Sequence, residues 1–182
     1  MKKVRVAWGI TGAGDYLQES LEAMRSASGE MDLEVTVLLS KNAQIVVKWY
    51  GLLREIESSF DSVRFERGPN QPFVAGPLQV GHYRLFFVSP STANTTAKIV
   101  CGIADTLITN CVSQAVKGGT PVYIYPVDQE PGSIETEIPG GKTISIRTRK
   151  VDLDNAAKLA DMEGITVLKK PGDILPILDS LS

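Results

Sequence analysis

Short apolar runs alternate with helix-period segments almost from the first residue, and this alternation constrains the fold more than any other feature of the chain. Val4 to Trp8 is apolar and stops at Gly9. Leu17, Leu21 and Met24 then fall at i, i+4 and i+7, the spacing of one helix face. Leu33 to Leu39 is rich in Val and Leu and reads as a second strand. The helix after it opens near Asn42, with Ile45, Trp49, Leu52 or Leu53, and Ile56 as its apolar stripe, so Trp49 is expected in the core and not in a ligand site. Val63 to Phe65 is a short strand, and Pro69 to Pro77 reads as a loop. Leu85-Phe86-Phe87-Val88 is apolar at consecutive positions, which predicts a central strand covered on both faces. A helix from about Thr95 to Gly102 follows, then a second helical piece to Lys117 that closes at Gly118-Gly119. Pro121 to Tyr125 and Ile165 to Leu168 read as strands, with a helix over Asp154 to Met162 between them. Pro171 opens a last helix, whose first turn must hold Pro176 if that proline is not to break it.

Repeated strand–helix units require a mostly parallel sheet with helices on both faces, an α/β doubly wound architecture. A chain of 182 residues suffices for one such domain, 1–182, and no repeat or composition break divides it. The one departure is Val127 to Thr148, which carries Pro131-Gly132, Pro139-Gly140-Gly141 and the alternating Ile144 and Ile146. A connection of this length inside a compact domain is usually functional, and a lid-like segment or an extra hairpin is expected at 127–148.

Charge and composition remove several classes of function. Lys and Arg number 19 against 21 Asp and Glu, a formal charge of −2, so the basic excess of a general nucleic-acid binder is missing. No apolar run is long enough for a membrane span. Met1-Lys2-Lys3-Val4 leads directly into a strand with no export-type segment, which makes a cytoplasmic location the expectation. Cys101 and Cys111 form no CxxC pair, and His82 is the single histidine, so no metal ligand set is expected. His82 has no visible partner for acid–base work, and a surface or interface position suits it.

In such a sheet ligands bind beyond the carboxyl ends of the strands, and four loops fall there. Gly9-Ile10-Thr11-Gly12-Ala13-Gly14-Asp15 lies between the first strand and a helix. Its glycines let a phosphate approach the backbone and helix amides, or they simply make a tight turn. The spacing is GxxGxG, which is neither the dinucleotide fingerprint nor a nucleotide P-loop. Ser40-Lys41-Asn42 follows the second strand, where Ser40 caps a helix or faces a phosphate and Lys41 balances charge or is merely solvated. Ser89-Pro90-Ser91-Thr92-Ala93-Asn94-Thr95-Thr96 follows the most apolar strand, and its dense small hydroxyl and amide groups serve a phosphate, the polar edge of a flat ring, or helix capping. Asp105 holds a ring or ribose group or caps the next helical piece. Tyr125-Pro126-Val127-Asp128-Gln129 leads into the long connection, where Tyr125 and Gln129 contact a bound ring or Tyr123 and Tyr125 pack as strand aromatics.

Pro90-Ser91-Thr92-Ala93-Asn94-Thr95, followed by Ala97-Lys98-Ile99 and Gly102-Ile103-Ala104-Asp105-Thr106-Leu107, resembles the PASANT-type signature of the homo-oligomeric flavin-containing cysteine decarboxylase superfamily. Gly9-Ile10-Thr11-Gly12 is similar to that family's phosphate loop, and the resemblance covers nearly the whole chain. It implies a Rossmann-like (flavodoxin-like) protein that binds FMN, often built from trimers with the flavin at a subunit interface. Carried over residue by residue, it sets Gly9, Thr11, Gly12, Ser40 and Ser91 around the phosphate. Thr92 and Asn94 fall around the flavin or its substrate, and Asp105 near the ribityl or ring region. Ala13, Lys41, Ser89, Pro90 and Thr95 complete the implied cofactor-binding set.

The chain departs from the decarboxylases at two points. Their catalytic histidine stands fourteen residues before the motif's first proline, a position occupied here by Gly76, and their substrate clamp of Pro followed by Met and Asn is replaced by Pro126-Val127-Asp128-Gln129. Trp8-Gly9-Ile10-Thr11-Gly12, Ser40-Lys41-Asn42-Ala43 with Lys48-Trp49-Tyr50, Pro126-Val127-Asp128-Gln129 and Arg149-Lys150-Val151-Asp152 are more similar to the archaeoflavoproteins and the FMN-dependent dihydromethanopterin reductases. That kinship implies an FMN oxidoreductase that passes a hydride to a pterin-like small molecule, with a redox partner protein as electron source and 127–148 closing over the second substrate. Asn94, Asp128, Gln129 and Tyr125 are then the candidates to orient the pterin or donate a proton. The alternative is an FMN electron carrier with no small substrate of its own. A decarboxylase is less favoured because of Gly76 and the missing clamp, and a prenyl-FMN synthase-like transferase would require dimethylallyl phosphate.

Overall fold

The computed structural model describes residues 3–138 and 140–181. Met1 and Lys2 of the chain start and Pro139 of the Pro-Gly-Gly segment lie outside the described residues. The described residues form eight strands and eight α-helices, with a short 3-10 turn at Pro171–Asp173. In chain order they are β1 (Val4–Ile10), α1 (Leu17–Glu30), β2 (Leu33–Leu39), α2 (Lys41–Trp49), α3 (Leu53–Ser59), β3 (Ser62–Phe65), α4 (Ala75–Gln79) and β4 (Leu85–Ser91). Then follow α5 (Ala93–Val100), α6 (Leu107–Gly118), β5 (Val122–Pro126), β6 (Ser133–Ile138), β7 (Lys142–Arg147), α7 (Lys150–Ala160), β8 (Ile165–Val167) and α8 (Ile174–Asp179).

Six strands form one sheet in the order β3-β2-β1-β4-β5-β8, and every neighbouring pair is parallel. This is the Rossmann order, in which the chain leaves β1 toward one edge and returns at β4 to build the other. The two-residue side-chain period of β1 sorts its side chains between two cores. Val6, Trp8 and Ile10 face a layer of α1, α2, α3 and α8 that contributes Leu21, Met24, Val47, Ile56 and Leu178. Ala7, with Phe86 and Val88 of β4, faces the opposite layer, where Leu78, Ile99, Ile108, Val112 and Leu159 come from α4, α5, α6 and α7. β4 is buried at all seven positions, as its uninterrupted apolar run requires.

The single helix expected after the second strand is two helices, because Gly51 takes a left-handed conformation (φ 74°) that ends α2 and redirects the chain. α2 rests on the sheet through Ala43 and Val47, so the other apolar pair, Ile45 and Trp49, points outward at 65% and 58% exposure. Trp49 is therefore a surface residue and not core. The segment expected to be loop up to Pro77 contains the start of α4, which accommodates Pro77 in its first turn. The helix expected from Asp154 opens earlier, at Lys150, with Asp152 in its first turn and paired to Arg149. Pro176 sits in the first turn of α8, the one place where it is tolerated.

The long connection holds an antiparallel hairpin, β6 with β7, separate from the main sheet. Ile134 pairs with Ile146 and Thr136 with Ile144, so the alternating isoleucines share one face. The hairpin is tied back to the body where the Tyr50 hydroxyl donates to the Glu137 carbonyl at 3.2 Å.

Candidate functional site

The loops after β1 and β4 leave neighbouring strands on opposite courses, and a cavity of about 420 Å³ opens between them at the carboxyl end of the sheet. Three helices begin around it. Ser40 caps α2 by accepting from the Ala43 amide, Thr92 caps α5 by accepting from Thr95, and Thr106 caps α6 in a reciprocal box with Thr109. Gly12, Asn42, Asn94, Lys98, Asp105 and Ile108 complete most of the wall.

The buried Glu66 at the end of β3 satisfies two of these helix starts. One carboxylate oxygen accepts from the Lys41 amide at 2.8 Å and the other from the Leu107 amide at 2.9 Å. α5 differs, because the amides of Ala93 and Asn94 find no hydrogen-bond acceptor among the described residues. The Asn94 amide is an open donor in the cavity wall, at the positive end of a helix dipole, and the Asn42 amide of α2 and the Ile108 amide of α6 are open in the same way.

The sequence-derived candidates divide into groups. Gly12, Ser40, Lys41, Thr92, Asn94, Thr95 and Asp105 are brought together in the cavity wall. Gly9, Thr11, Ala13, Ser89, Pro90 and Ser91 are buried behind it. Thr11 donates to the Pro90 carbonyl at 2.8 Å and accepts from the Thr92 amide at 2.9 Å, stitching the β1 loop to the β4 loop. The Ser89 hydroxyl bonds that of Ser20, its carbonyl takes the Trp8 indole N–H, and the Ser91 hydroxyl bonds Thr96. These side chains are spent on scaffold. The glycines of the first loop also have packing reasons. A Cβ on Gly12 would stand 2.6 Å from that of Asn42, one on Gly9 2.9 Å from Ile108, and one on Gly14 2.5 Å from the Tyr50 hydroxyl.

Tyr125 and Gln129 line a different hollow of about 330 Å³, together with Tyr16, the hairpin foot and Lys169–Lys170. Tyr16, held at φ 60°, meets Tyr125 edge to face at 5.2 Å. Burial, then the neighbouring Tyr16, push the Tyr125 phenol well above its ordinary range. Gln129 donates to the carbonyls of Pro126 and Leu168, and its own side-chain oxygen is buried without a donor among the described residues. Burial together with the charges of Asp152 and Asp15 raises the Asp128 carboxyl. A larger hollow along edge strand β3, lined by Val63, Arg64, Phe65 and Arg67, gathers no helix start.

Sequence reading did not single out Glu66, Lys98 or Asn42 as site residues. Glu66 has a signal, because it is the first residue past a strand end, where Ser40 also sits. Lys98 is four residues after Asn94 and shares its helix face.

The profile of the family described as Flavoprotein matches residues 1–180. The chain belongs to the Flavoprotein family. An uncharacterised protein of Methanocaldococcus jannaschii is 51% identical over 96% of this chain and 94% of its own. The dihydromethanopterin reductase (acceptor) of the same organism is 32% identical, with 94% of each chain covered. Among solved structures, DmrB of Burkholderia xenovorans in complex with FMN, described as a cubic protein cage for redox transfer, superposes with a TM-score of 0.83. It is 30% identical, with 98% of this chain and 95% of that one covered. Among the described residues no helix is long and apolar enough to cross a membrane, and no group of His, Cys, Asp and Glu is placed to hold a metal ion. At Gly76, where the decarboxylases carry histidine, a side chain would run into the Phe73 ring.

Proposed function

We propose that the protein binds FMN in the cavity between the β1 and β4 loops and reduces dihydromethanopterin or a related pterin, with a redox partner protein supplying electrons. The observation that carries this reading is the open start of α5, where the free Asn94 amide and the side chains of Thr92 and Asn94 face a cavity large enough for a ligand of this size. The donor set fits a phosphomonoester with a polar ring attached. Gly12, Ser40, Thr92 and Thr95 line the place for the phosphate, and Asn94 offers both a donor and an acceptor to a heterocycle.

Bound FMN supplies the hydride and single-electron chemistry. The chain's own residues bind, orient and handle the proton. The half-buried Tyr16, braced edge to face by the buried Tyr125, offers an aromatic surface against which a flat pterin ring packs. Asp128 stands between Val127 and Gln129 of the Tyr125 hollow without lining it itself; with its carboxyl raised it retains a proton further toward neutrality than an ordinary aspartate, and it is the proposed proton donor. The hairpin foot lines the same hollow and limits water there. The outward-facing Ile45 and Trp49 supply an apolar surface for a homo-oligomer, assembled from trimers.

The test is the visible spectrum of the purified protein and chromatography of the chromophore that acid releases, followed by anaerobic mixing of the reduced protein with dihydromethanopterin. FMN in the extract and consumption of the pterin are expected. Protein that is colourless and takes up no added FMN overturns the reading. A flavin that cycles while the pterin stays unchanged makes the protein an electron carrier. Native mass spectrometry reads the subunit number.

A further inference from the structure

One ion pair stands in the wall of the cavity. Lys98 rises from the same face of α5 as Asn94 and Thr95, and its ammonium donates to both carboxylate oxygens of Asp105 at 2.8 Å. The two partners are unequally placed. The Lys98 side chain is 24% exposed, whereas that of Asp105 is 55% exposed and faces water. The charges lining the cavity are Lys41 and Lys98 against Glu66 and Asp105, so the wall is formally neutral. Both Glu66 oxygens are already committed to backbone amides.

A phosphomonoester carries about −1.5 to −2 at neutral pH. Entering a neutral wall, it needs a cation beside the open amides of α5. The ammonium on that helix is Lys98, and a carboxylate already occupies it. We propose that Lys98 is the cation of the phosphate subsite and that Asp105 is its resting partner. When the phosphate arrives, the ammonium exchanges a carboxylate oxygen for a phosphate oxygen, and Asp105 is released to solvent. Lysine suits this exchange, since its charge is compact, carries three donors and swings on a flexible stem. The released carboxylate is more than half exposed already, so water replaces its lost partner at small cost. The inference rests on the FMN reading and gives Asp105 a role other than the ribityl contact implied by the family resemblance.

Exchange and simple bracing make opposite demands. If Asp105 competes with the ligand for Lys98, removing either partner moves phosphate affinity in a different direction. If the pair only braces α5 against the start of α6, removing either one weakens the site alike.

The experiment titrates FMN and, separately, riboflavin into flavin-free protein, following the quenching of flavin fluorescence. Wild type, Lys98→Met, Lys98→Arg and Asp105→Asn are compared, with circular dichroism to confirm folding. Lys98→Met is expected to weaken FMN about 10- to 100-fold, the scale of one charge-assisted hydrogen bond, and to leave riboflavin within about twofold. Lys98→Arg restores most of the FMN affinity. Asp105→Asn tightens FMN several-fold without moving riboflavin. The salt dependence of FMN binding is shallower in Lys98→Met than in wild type. Equal losses for FMN and riboflavin in Lys98→Met, or an Asp105→Asn variant that binds FMN more weakly than wild type, overturns the exchange. Wild-type protein that takes up neither flavin overturns the FMN reading itself, a result distinct from wild type binding FMN while the variants fail to separate.

Discussion

The Glu66 carboxylate accepts the Leu107 amide at 2.9 Å, which joins the end of an edge strand to the first residue of a helix on the sheet's far layer. Its second oxygen takes the Lys41 amide of α2, so one buried side chain caps two helices that start on opposite faces of the sheet. Each bond is charge-assisted and lies at a helix's positive end. Glu66→Gln sets an NH₂ group against one of the two amides. It is expected to lower unfolding stability by roughly 2–4 kcal/mol in a urea titration. A loss below about 0.5 kcal/mol, the level of an ordinary surface substitution, would show that the double cap is not holding these helices.

Gly12 is small because Asn42 fills the space beside it. Gly12→Ala brings two Cβ atoms to 2.6 Å, so either the β1 loop or the start of α2 must move. The expected cost is about 1–3 kcal/mol of stability, with loss of FMN uptake as the wall shifts. Asn42→Gly in the same chain removes the obstructing atom, and the double variant regains most of the stability and the flavin. The coupling energy from a double-mutant cycle checks this, and additive effects would place the reason for Gly12 elsewhere.

The sheet and its layers were legible because each strand keeps a two-residue period or a continuous apolar run, and each helix a stripe of its own. The stripe after β2 misled because Ile45 and Trp49 keep perfect helical spacing while facing outward; spacing identifies a face and not what covers it. The loops after β1, β2 and β4 were legible as loops. Whether Thr11 or Ser91 faces the cavity or the scaffold was not, since the same hydroxyl serves both, and here Thr11 is taken by Pro90 and Thr92. Glu66 and Lys98 escaped notice because their partners, Leu107 and Asp105, are distant or unremarkable in sequence and meet them only in the folded chain.

Asp128 gives a pH signature. Burial and the charges of Asp152 and Asp15 raise its carboxyl in the folded protein, so the folded state holds this proton more tightly than the unfolded chain does. Its ionisation therefore costs stability as pH rises from the ordinary aspartate value through the raised one. Asp152 runs the other way. The Arg149 hydrogen bond lowers it, and its contribution is present above the ordinary value and lost as pH falls through the lowered one. Asp128→Asn is expected to melt above wild type at neutral pH and to show no advantage below about pH 4, where the wild-type carboxyl is protonated in both states. Melting temperatures of both proteins across that range check the sign. A variant less stable than wild type at neutral pH counts against a strained carboxylate.

The hairpin's tie to the body is also open to measurement. Among the described residues β6 and β7 pair with each other and with no strand of the main sheet, and a two-stranded hairpin alone is marginal in water. Tyr50 supplies an anchor by donating to the Glu137 carbonyl, while its ring occupies the space that a side chain on Gly14 would need. Burial, with Asp15 and Glu137 nearby, raises the phenol further, so the donor keeps its proton across neutral pH. Tyr50→Phe retains the ring and removes a bond worth about 1 kcal/mol, or roughly a fivefold change in an opening equilibrium. Amide hydrogen exchange within Ile134–Ile138 and Lys142–Ile146 should quicken by about that factor, while exchange in β4 stays as it was. Because the hairpin foot also lines the hollow of Tyr125 and Gln129, the variant should bind pterin more weakly and leave FMN affinity unchanged. Unchanged exchange in the hairpin would mean that the Tyr50 bond does not hold it.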